Sequence, residues 1–170
     1  MLLGSDKAIL YKNNCLTLDQ QRCWVDILGF DHLINGAEGV TNKGDRGIQL
    51  TNKALSMYKG HFLSGDVREP WTMSRRENLR NKFVRSISRL GQHLEETEEF
   101  DQAIDSYNKG IEIDELAERL YQRLMLCHQR SGNRTEAIKT YKRLKTLLAS
   151  HLGIEPSRET EAIYRTLLTK

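Results

Sequence analysis

Proline and cysteine are both scarce in this chain. Only two prolines and 12 glycines occur in 170 residues, which excludes long linker-like or disordered tracts. The three cysteines, Cys15, Cys23 and Cys127, are an odd number without paired spacing. That excludes a disulfide framework and a zinc knuckle, and it reads as a reducing, cytoplasmic setting. No apolar run approaches the ~18 residues that span a bilayer, so no membrane partner is expected. The opening Met1–Asp6 lacks the basic flank and apolar core of a secretory signal. Nor does one sign of charge dominate. Lys and Arg number 26 against 23 Asp and Glu, a net +3, too mild to argue for nucleic acid by net charge alone. A chain of 19.7 kDa is one domain, or one domain with a fragment of a second, and is long enough for a core without staples.

What is present begins with a short β signal. Ile9 and Tyr11 alternate with Leu10 and Lys12, Leu16 and Leu18 alternate with Thr17 and Asp19, and Asn13-Asn14 lies between the runs. Asn tolerates the positive φ of a tight turn, so a hairpin over 8–12 and 15–18 is expected. A hairpin alone is marginal in water. It therefore packs on the helices or is the remnant of a domain that begins earlier.

From there the periodicity is helical. Asp19 is the expected cap of a first helix with Cys23, Ile27, Phe30 and Ile34 inward, ending near Gly36–Gly39. A second helix is expected around Ile48–Tyr58, broken by Gly60 and Phe62–Asp66. Pro70 and Trp71 lead into a long helix in which Ser74 and Glu77 have capping-box spacing. Leu79, Phe83, Ile87, Leu90 and Leu94 form its apolar stripe. Four further helices follow at 100–112, 116–131, 134–150 and 157–169. Their punctuation is Gly132, Asn133 with Glu136, Gly153, Pro156 and the cap Ser157. Trp24 and Trp71 read as structural.

An internal repeat organises these helices. Ala103-Ile104-Asp105-Ser106-Tyr107 recurs as Ala137-Ile138-Lys139-Thr140-Tyr141, an offset of 34 residues that also relates Leu90 to Leu124 and Ile87 to Tyr121. Thirty-four is the period of tetratricopeptide helix pairs. Small Ala lets two helices approach, and the aromatic four residues on fills the gap to the next pair. Ala54-Leu55 and Tyr58 mark a degenerate first pair.

Convergent chemistry is missing. Cys127-His128 falls on an inward helix face and reads as core packing. His32, His61, His93 and His151 lack the i, i+4 spacing of a metal helix. Asn42-Lys43-Gly44-Asp45 spells a guanine-specificity tetrapeptide, but no phosphate-cradling loop accompanies it, so it reads as a polar connection. No catalytic, metal or cofactor site is expected.

Charge is nonetheless segregated. Arg75, Lys82, Arg85 and Arg89 lie on one side of the long helix. Glu95, Glu96, Glu98, Glu99, Asp101 and Asp105 then form an acidic block, and Arg119 to Lys145 is basic again. A solvated surface with pairs between neighbouring helices is one reading. A partner surface for an acidic protein or DNA phosphates is the other. In a stack of this kind Arg85, Ser88, Gln92, Arg119, Gln122 and Leu126 would face the concave groove. They lack the Lys and Asn set that clamps a terminal carboxylate in chaperone adaptors.

Four segments carry a family resemblance: Cys23–Ile34 (CWVDILGFDHLI), Tyr58–Trp71 (YKGHFLSGDVREPW), Arg75–Tyr107, and Leu152–Leu168 (LGIEPSRETEAIYRTLL). In this order and spacing they resemble the bacterial transcriptional activation domain of SARP-type regulators, over about residues 8–168. Glu115 stands where such repeats commonly have Pro. The resemblance implies an all-α, tetratricopeptide-like stack of about seven helices with a small N-terminal β-hairpin. It makes residues 1–18 the remnant of a preceding winged-helix DNA-binding domain and 19–170 the activation domain. It implies a non-enzymatic effector part of a transcriptional activator, acting by self-association or by contacts with the transcription machinery and touching DNA only through a winged domain outside this chain. Arg75, Lys82, Arg85, Arg89, Arg119 and Gln122 are the expected partner surface. The rival reading is a free-standing peptide-binding adaptor.

Overall fold

The computed structural model describes residues 8–19, 21–39, 45–60, 62–63 and 70–169, with Lys12 and Asp45 by their backbones only. The described elements are two strands followed by seven helices. They fall into two compact units, Met1–Tyr58 and Lys59–Lys170.

In the first unit β1 (Ile9–Lys12) and β2 (Cys15–Leu18) pair antiparallel, with Ile9 opposite Leu18 and Tyr11 opposite Leu16. Asn13 and Asn14 both have positive φ, 54° and 61°, the two-residue turn whose twist matches the strands. The Tyr11 hydroxyl donates to the Asn14 side chain, and the Asp19 N–H closes the base on the Ala8 carbonyl at 2.8 Å.

The expectation that Asp19 caps the first helix is corrected. α1 spans Asp26–Gly39. The Asp19 carboxylate instead accepts the Gln21 N–H at 3.0 Å and pairs with Arg22 at 3.2 Å. An Asp side chain competes with helix by bonding the backbone two residues on, and here that local turn wins. Cys23 consequently precedes the helix, its thiol on the Asp19 carbonyl, whereas Phe30 and Ile34 are buried as expected. α2 spans Asp45–Met57. Asn42, Lys43 and Gly44 of the tetrapeptide lie outside the described residues, as do His61 and Ser64 to Glu69. Ala54 is fully buried, and the Tyr58 ring lies 5.8 Å from that of Phe30, so α1 and α2 pack as the degenerate pair.

The second unit holds α3 (Pro70–Glu96), α4 (Phe100–Ile113), α5 (Glu118–Arg130), α6 (Arg134–Leu152) and α7 (Arg158–Leu168). α3 starts one turn before the expected Ser74 box. Pro70 takes its first position, where a missing N–H loses nothing and the fixed φ suits the helix, and Ser74 is an exposed interior residue. The stripe Leu79, Phe83, Ile87, Leu90 and Leu94 is buried throughout. The structural reading of the tryptophans is also corrected. Trp24 is 74% exposed and Trp71 62%. Trp71 meets Phe62 in a T-shaped contact, ring centroids 6.3 Å apart.

The 34-residue repeat is a repeat of backbone hydrogen bonds. Glu99 N–H reaches the Leu94 carbonyl at 2.8 Å, and Asn133 N–H reaches His128 at 2.8 Å. Residue 98 has φ +62° and residue 132 has φ +76°; one is Glu and the other Gly. Both turns are the left-handed helix stop that satisfies the last carbonyls. Ala103 and Ala137 are fully buried, with Tyr107 and Tyr141 beside them in the core. Gly91 explains how closely α3 and α4 approach: a Cβ there would lie 2.3 Å from the Tyr107 ring. Gly110 plays the same part toward Leu120 and Ile87. The Tyr121 hydroxyl donates to the Glu115 carbonyl at 3.1 Å, tying down the turn where Pro is commoner. α7 closes the stack by packing its Leu167 with Met125, Ala137 and Tyr141, with the Tyr164 ring stacked on Tyr141 at 3.8 Å.

Candidate interaction surface

α3, α4 and α5 meet at Glu95. The acidic block around it is solvated, but Glu95 itself is 5% exposed. One carboxylate oxygen accepts the Tyr107 hydroxyl at 2.6 Å and Arg123 Nε at 2.9 Å. The other accepts Arg123 Nη2 at 2.8 Å and Arg130 Nη1 at 3.2 Å. The forked Arg123 pairing satisfies both oxygens of a buried charge, as burial requires. Burial, and then the neighbouring carboxylate, push the Tyr107 hydroxyl far above its ordinary range. The same two causes raise the Cys127 thiol to about 12, so it is a packed thiol and a poor nucleophile. Burial lowers His128. Cys127 is fully buried, as the core-packing reading expects, whereas His128 is half-buried. The pairing of Glu95 was invisible in sequence, because its partners lie 12, 28 and 35 residues on.

α5 is tied to α7 by a polar latch. The Gln122 amide donates to Thr160 Oγ1 at 2.9 Å. Glu118 accepts the Ser157 N–H at 2.7 Å and the Thr160 hydroxyl. The Ser157 side chain accepts the Thr160 N–H at 3.3 Å, the N-cap expected from sequence. Partial burial raises the Glu118 carboxyl, but the bonds from Thr160 and Ser157 outweigh it and leave the group below its ordinary value. The Pro156-Ser157-x-Glu159-Thr160 segment is thus the docking end of α7; Pro156 and Thr160 are both buried.

Among the described residues, two of the clefts beside α5 hold the expected groove residues; a third, of about 390 Å³, is lined by Gln92, Glu95, Glu96, Arg123 and Arg130. The first, between α3 and α5, has a volume of about 370 Å³. Val84, Ala117 and Leu120 form its apolar lining, and Asn81, Arg85, Ser88, Arg89, Gln92 and Arg119 its polar lining; none of its lining residues is acidic. The second, between α5 and α7, has about 410 Å³ and is lined by Glu118, Arg119, Gln122, Arg123, Leu126, Glu159 and Ile163. The six residues expected to face a concave groove thus line these two clefts, and Arg119 lines both. Of the expected partner surface, Arg85, Arg89 and Arg119 are exposed, Arg75 and Lys82 half-buried and outside both clefts, and Gln122 is buried in the latch. Arg75, Lys82, Arg85 and Arg89 each make an interaction of their own within the chain. Among the described residues no group of three His, Cys, Asp or Glu is placed to hold a metal ion, and no helix is long and apolar enough to cross a membrane.

Residues 25–168 match the sequence pattern of the bacterial transcriptional activator domain. The chain belongs to that family. The family is one of transcriptional regulator domains and is not an enzyme family. The regulatory protein AfsR of Streptomyces griseus is 27% identical over 170 residues, 98% of this chain and 17% of AfsR. AfsR of Streptomyces coelicolor is 27% identical over 147 residues, 85% of this chain and 15% of that protein. The chain therefore spans under a fifth of the length of these relatives. The solved structure of EmbR from Mycobacterium tuberculosis, in complex with a low affinity phosphopeptide, superposes with a TM-score of 0.70 at 18% identity, over 95% of this chain and 43% of EmbR. At that identity it shows the fold. The tetratricopeptide-like stack with its N-terminal hairpin is the fold of this bacterial transcriptional activator domain.

Proposed function

We propose that this domain is the effector part of a longer DNA-binding transcriptional activator and works through protein contacts, by self-association or by engaging the transcription machinery. The observation that carries the reading is the family match together with a preformed groove on the α3–α5–α7 side, rimmed by Arg85, Arg89 and Arg119. A rigid stack offers such a surface with little ordering entropy to lose on binding. In this reading the hairpin at 8–18 joins the domain to a preceding winged helix, DNA is touched only through that winged domain, and the protein works in the cytoplasm. The partner surface is the set Arg75, Lys82, Arg85, Arg89, Arg119 and Gln122, with Gln122 acting by holding α7 in place.

The test is the double change Arg85→Glu and Arg89→Glu in the full-length regulator. The expected result is loss of activation of a reporter promoter, loss of self-association in analytical ultracentrifugation, or both, with DNA affinity kept. If activation and self-association both survive, the basic surface has no effector role.

A further inference from the structure

Three arginines lie on α5, and the structure uses them differently. Arg123 and Arg130 are held on Glu95. Arg119 is exposed on the wall shared by the two clefts, and among the described residues no hydrogen bond or ion pair engages it. The two clefts differ in character. The α3–α5 cleft sets Arg119 beside Arg85 and Arg89, lined by Val84 and Leu120 with no acid among them. The nearest buried acid, Glu95, is already neutralised. The α5–α7 cleft is lined by Leu126 and Ile163, both half-buried. Its Glu118 is occupied by Ser157 and Thr160, and Glu159 stands exposed on the α7 side. A carboxylate is therefore favoured over α3–α5, where the exposed lining charges are all positive, whereas over α5–α7 Glu159 offsets Arg119 and an aliphatic group finds apolar lining.

We infer that the groove reads an extended peptide with acidic side chains in the α3–α5 cleft and an aliphatic side chain between Leu126 and Ile163, with Arg119 fixing the register between the two. Each cleft is near the small end of the range for ligand sites, which suits single side chains better than a folded surface. A guanidinium beside an apolar floor suits a carboxylate, because its planar fork bonds two oxygens and is weakly hydrated. This inference rests on the interaction-module reading and names the chemistry of its partner.

The test is fluorescence anisotropy with the 170-residue chain at low salt. The probes are a labelled peptide carrying Glu-Glu-Ala-Leu, the same peptide with both Glu changed to Lys, and a form with Leu changed to Ser. The Glu peptide is expected to bind in the micromolar to sub-millimolar range, weakening as salt rises. Arg119→Glu is expected to weaken it by at least about tenfold and Arg119→Ala by less. The Ser form should bind about threefold to tenfold more weakly, since a buried aliphatic side chain contributes about 1 kcal/mol or more. Arg134→Glu, at the exposed start of α6, should leave binding unchanged. Circular dichroism checks that each variant is folded. Equal binding of the Lys peptide, no binding of the Glu peptide at millimolar concentration, insensitivity to Arg119→Glu, or an equal loss with Arg134→Glu would each overturn the inference. So would equally tight binding of a single-stranded oligonucleotide, which would make the groove a general anion surface. Peptide binding and reporter activation are read separately. A chain that binds the peptide while the Arg85/Arg89 variant keeps both activation and self-association would sink the effector reading and leave the groove intact; the reverse would sink the groove alone.

Discussion

Residue 98 carries a backbone conformation that glycine adopts freely and glutamate does not. Its repeat partner, Gly132, holds the same left-handed turn at φ +76°. Glu98→Gly is therefore expected to stabilise the chain by about 0.5–1 kcal/mol, and Gly132→Ala to destabilise it by a similar amount, both measured by urea titration. Gly91 makes the opposite demand, for space. A Cβ at 2.3 Å from the Tyr107 ring forces α3 and α4 apart, so Gly91→Ala should lower stability by about 1–3 kcal/mol. Adding Tyr107→Leu should recover part of that loss, and a double-mutant cycle measures the coupling. Glu95 is the third exacting position. Glu95→Ala leaves Arg123, Arg130 and the Tyr107 hydroxyl without their acceptor, and removing one partner of a buried pair costs about 3 kcal/mol or more. An equal stability of Glu95→Ala and wild type would mean that the three donors find water instead.

At the scale of elements, α7 is the piece whose attachment depends on polar contacts as well as on burial of Leu167. Glu118 is lowered in the folded state, so its contribution is fully present above its ordinary value of 4.5 and is lost as pH falls through the lower, folded value. The wild-type urea midpoint should therefore drop more steeply than that of Glu118→Gln as pH falls below about 5. Parallel curves would remove Glu118 from the latch. α1 and α3 teach a related point about element ends. Cap signals at Asp19 and Ser74 were legible but lost to competitors: an Asp turn in one case, a proline at the first helical position in the other. The caps at Gly132, Gly153 and Ser157 had no competitor, and they stop or start helices where their residue types lead one to expect.

For the whole molecule, the α3–α5 cleft with Arg85, Arg89 and Arg119 has no acidic lining residue, and the groove is where function is tested. If the proposed function holds, Arg119→Glu reduces reporter activation severalfold while leaving the stability within about 0.5 kcal/mol of wild type, since the residue is exposed. A Gln122→Ala change should act differently. Gln122 is buried in the α7 latch, so its loss should appear first as lower stability and only through that as lower activation. Comparable stability losses for the two variants would contradict the separate roles given to them.

What the sequence determined by itself was periodic and local. The 34-residue spacing of Ala103–Tyr107 and Ala137–Tyr141, the stripe from Leu79 to Leu94, the hairpin turn at Asn13-Asn14 and the family motifs all depend on residues close along the chain or repeated in phase. Helix pairs, buried faces and the repeat stack follow from them directly. What only the tertiary structure decided was which charges are spent inside the fold. Glu95 belongs to the same run as Glu96, Glu98 and Glu99, yet it alone is buried, because the stacking of α3 on α4 and α5 brings Tyr107, Arg123 and Arg130 to it. Gln122 and Arg119 are three residues apart on one helix; one is locked to Thr160, and the other is exposed on the wall of both clefts. A charge or amide in a sequence has no partner until distant helices are packed, and packing, not composition, assigns it to the core or to the groove.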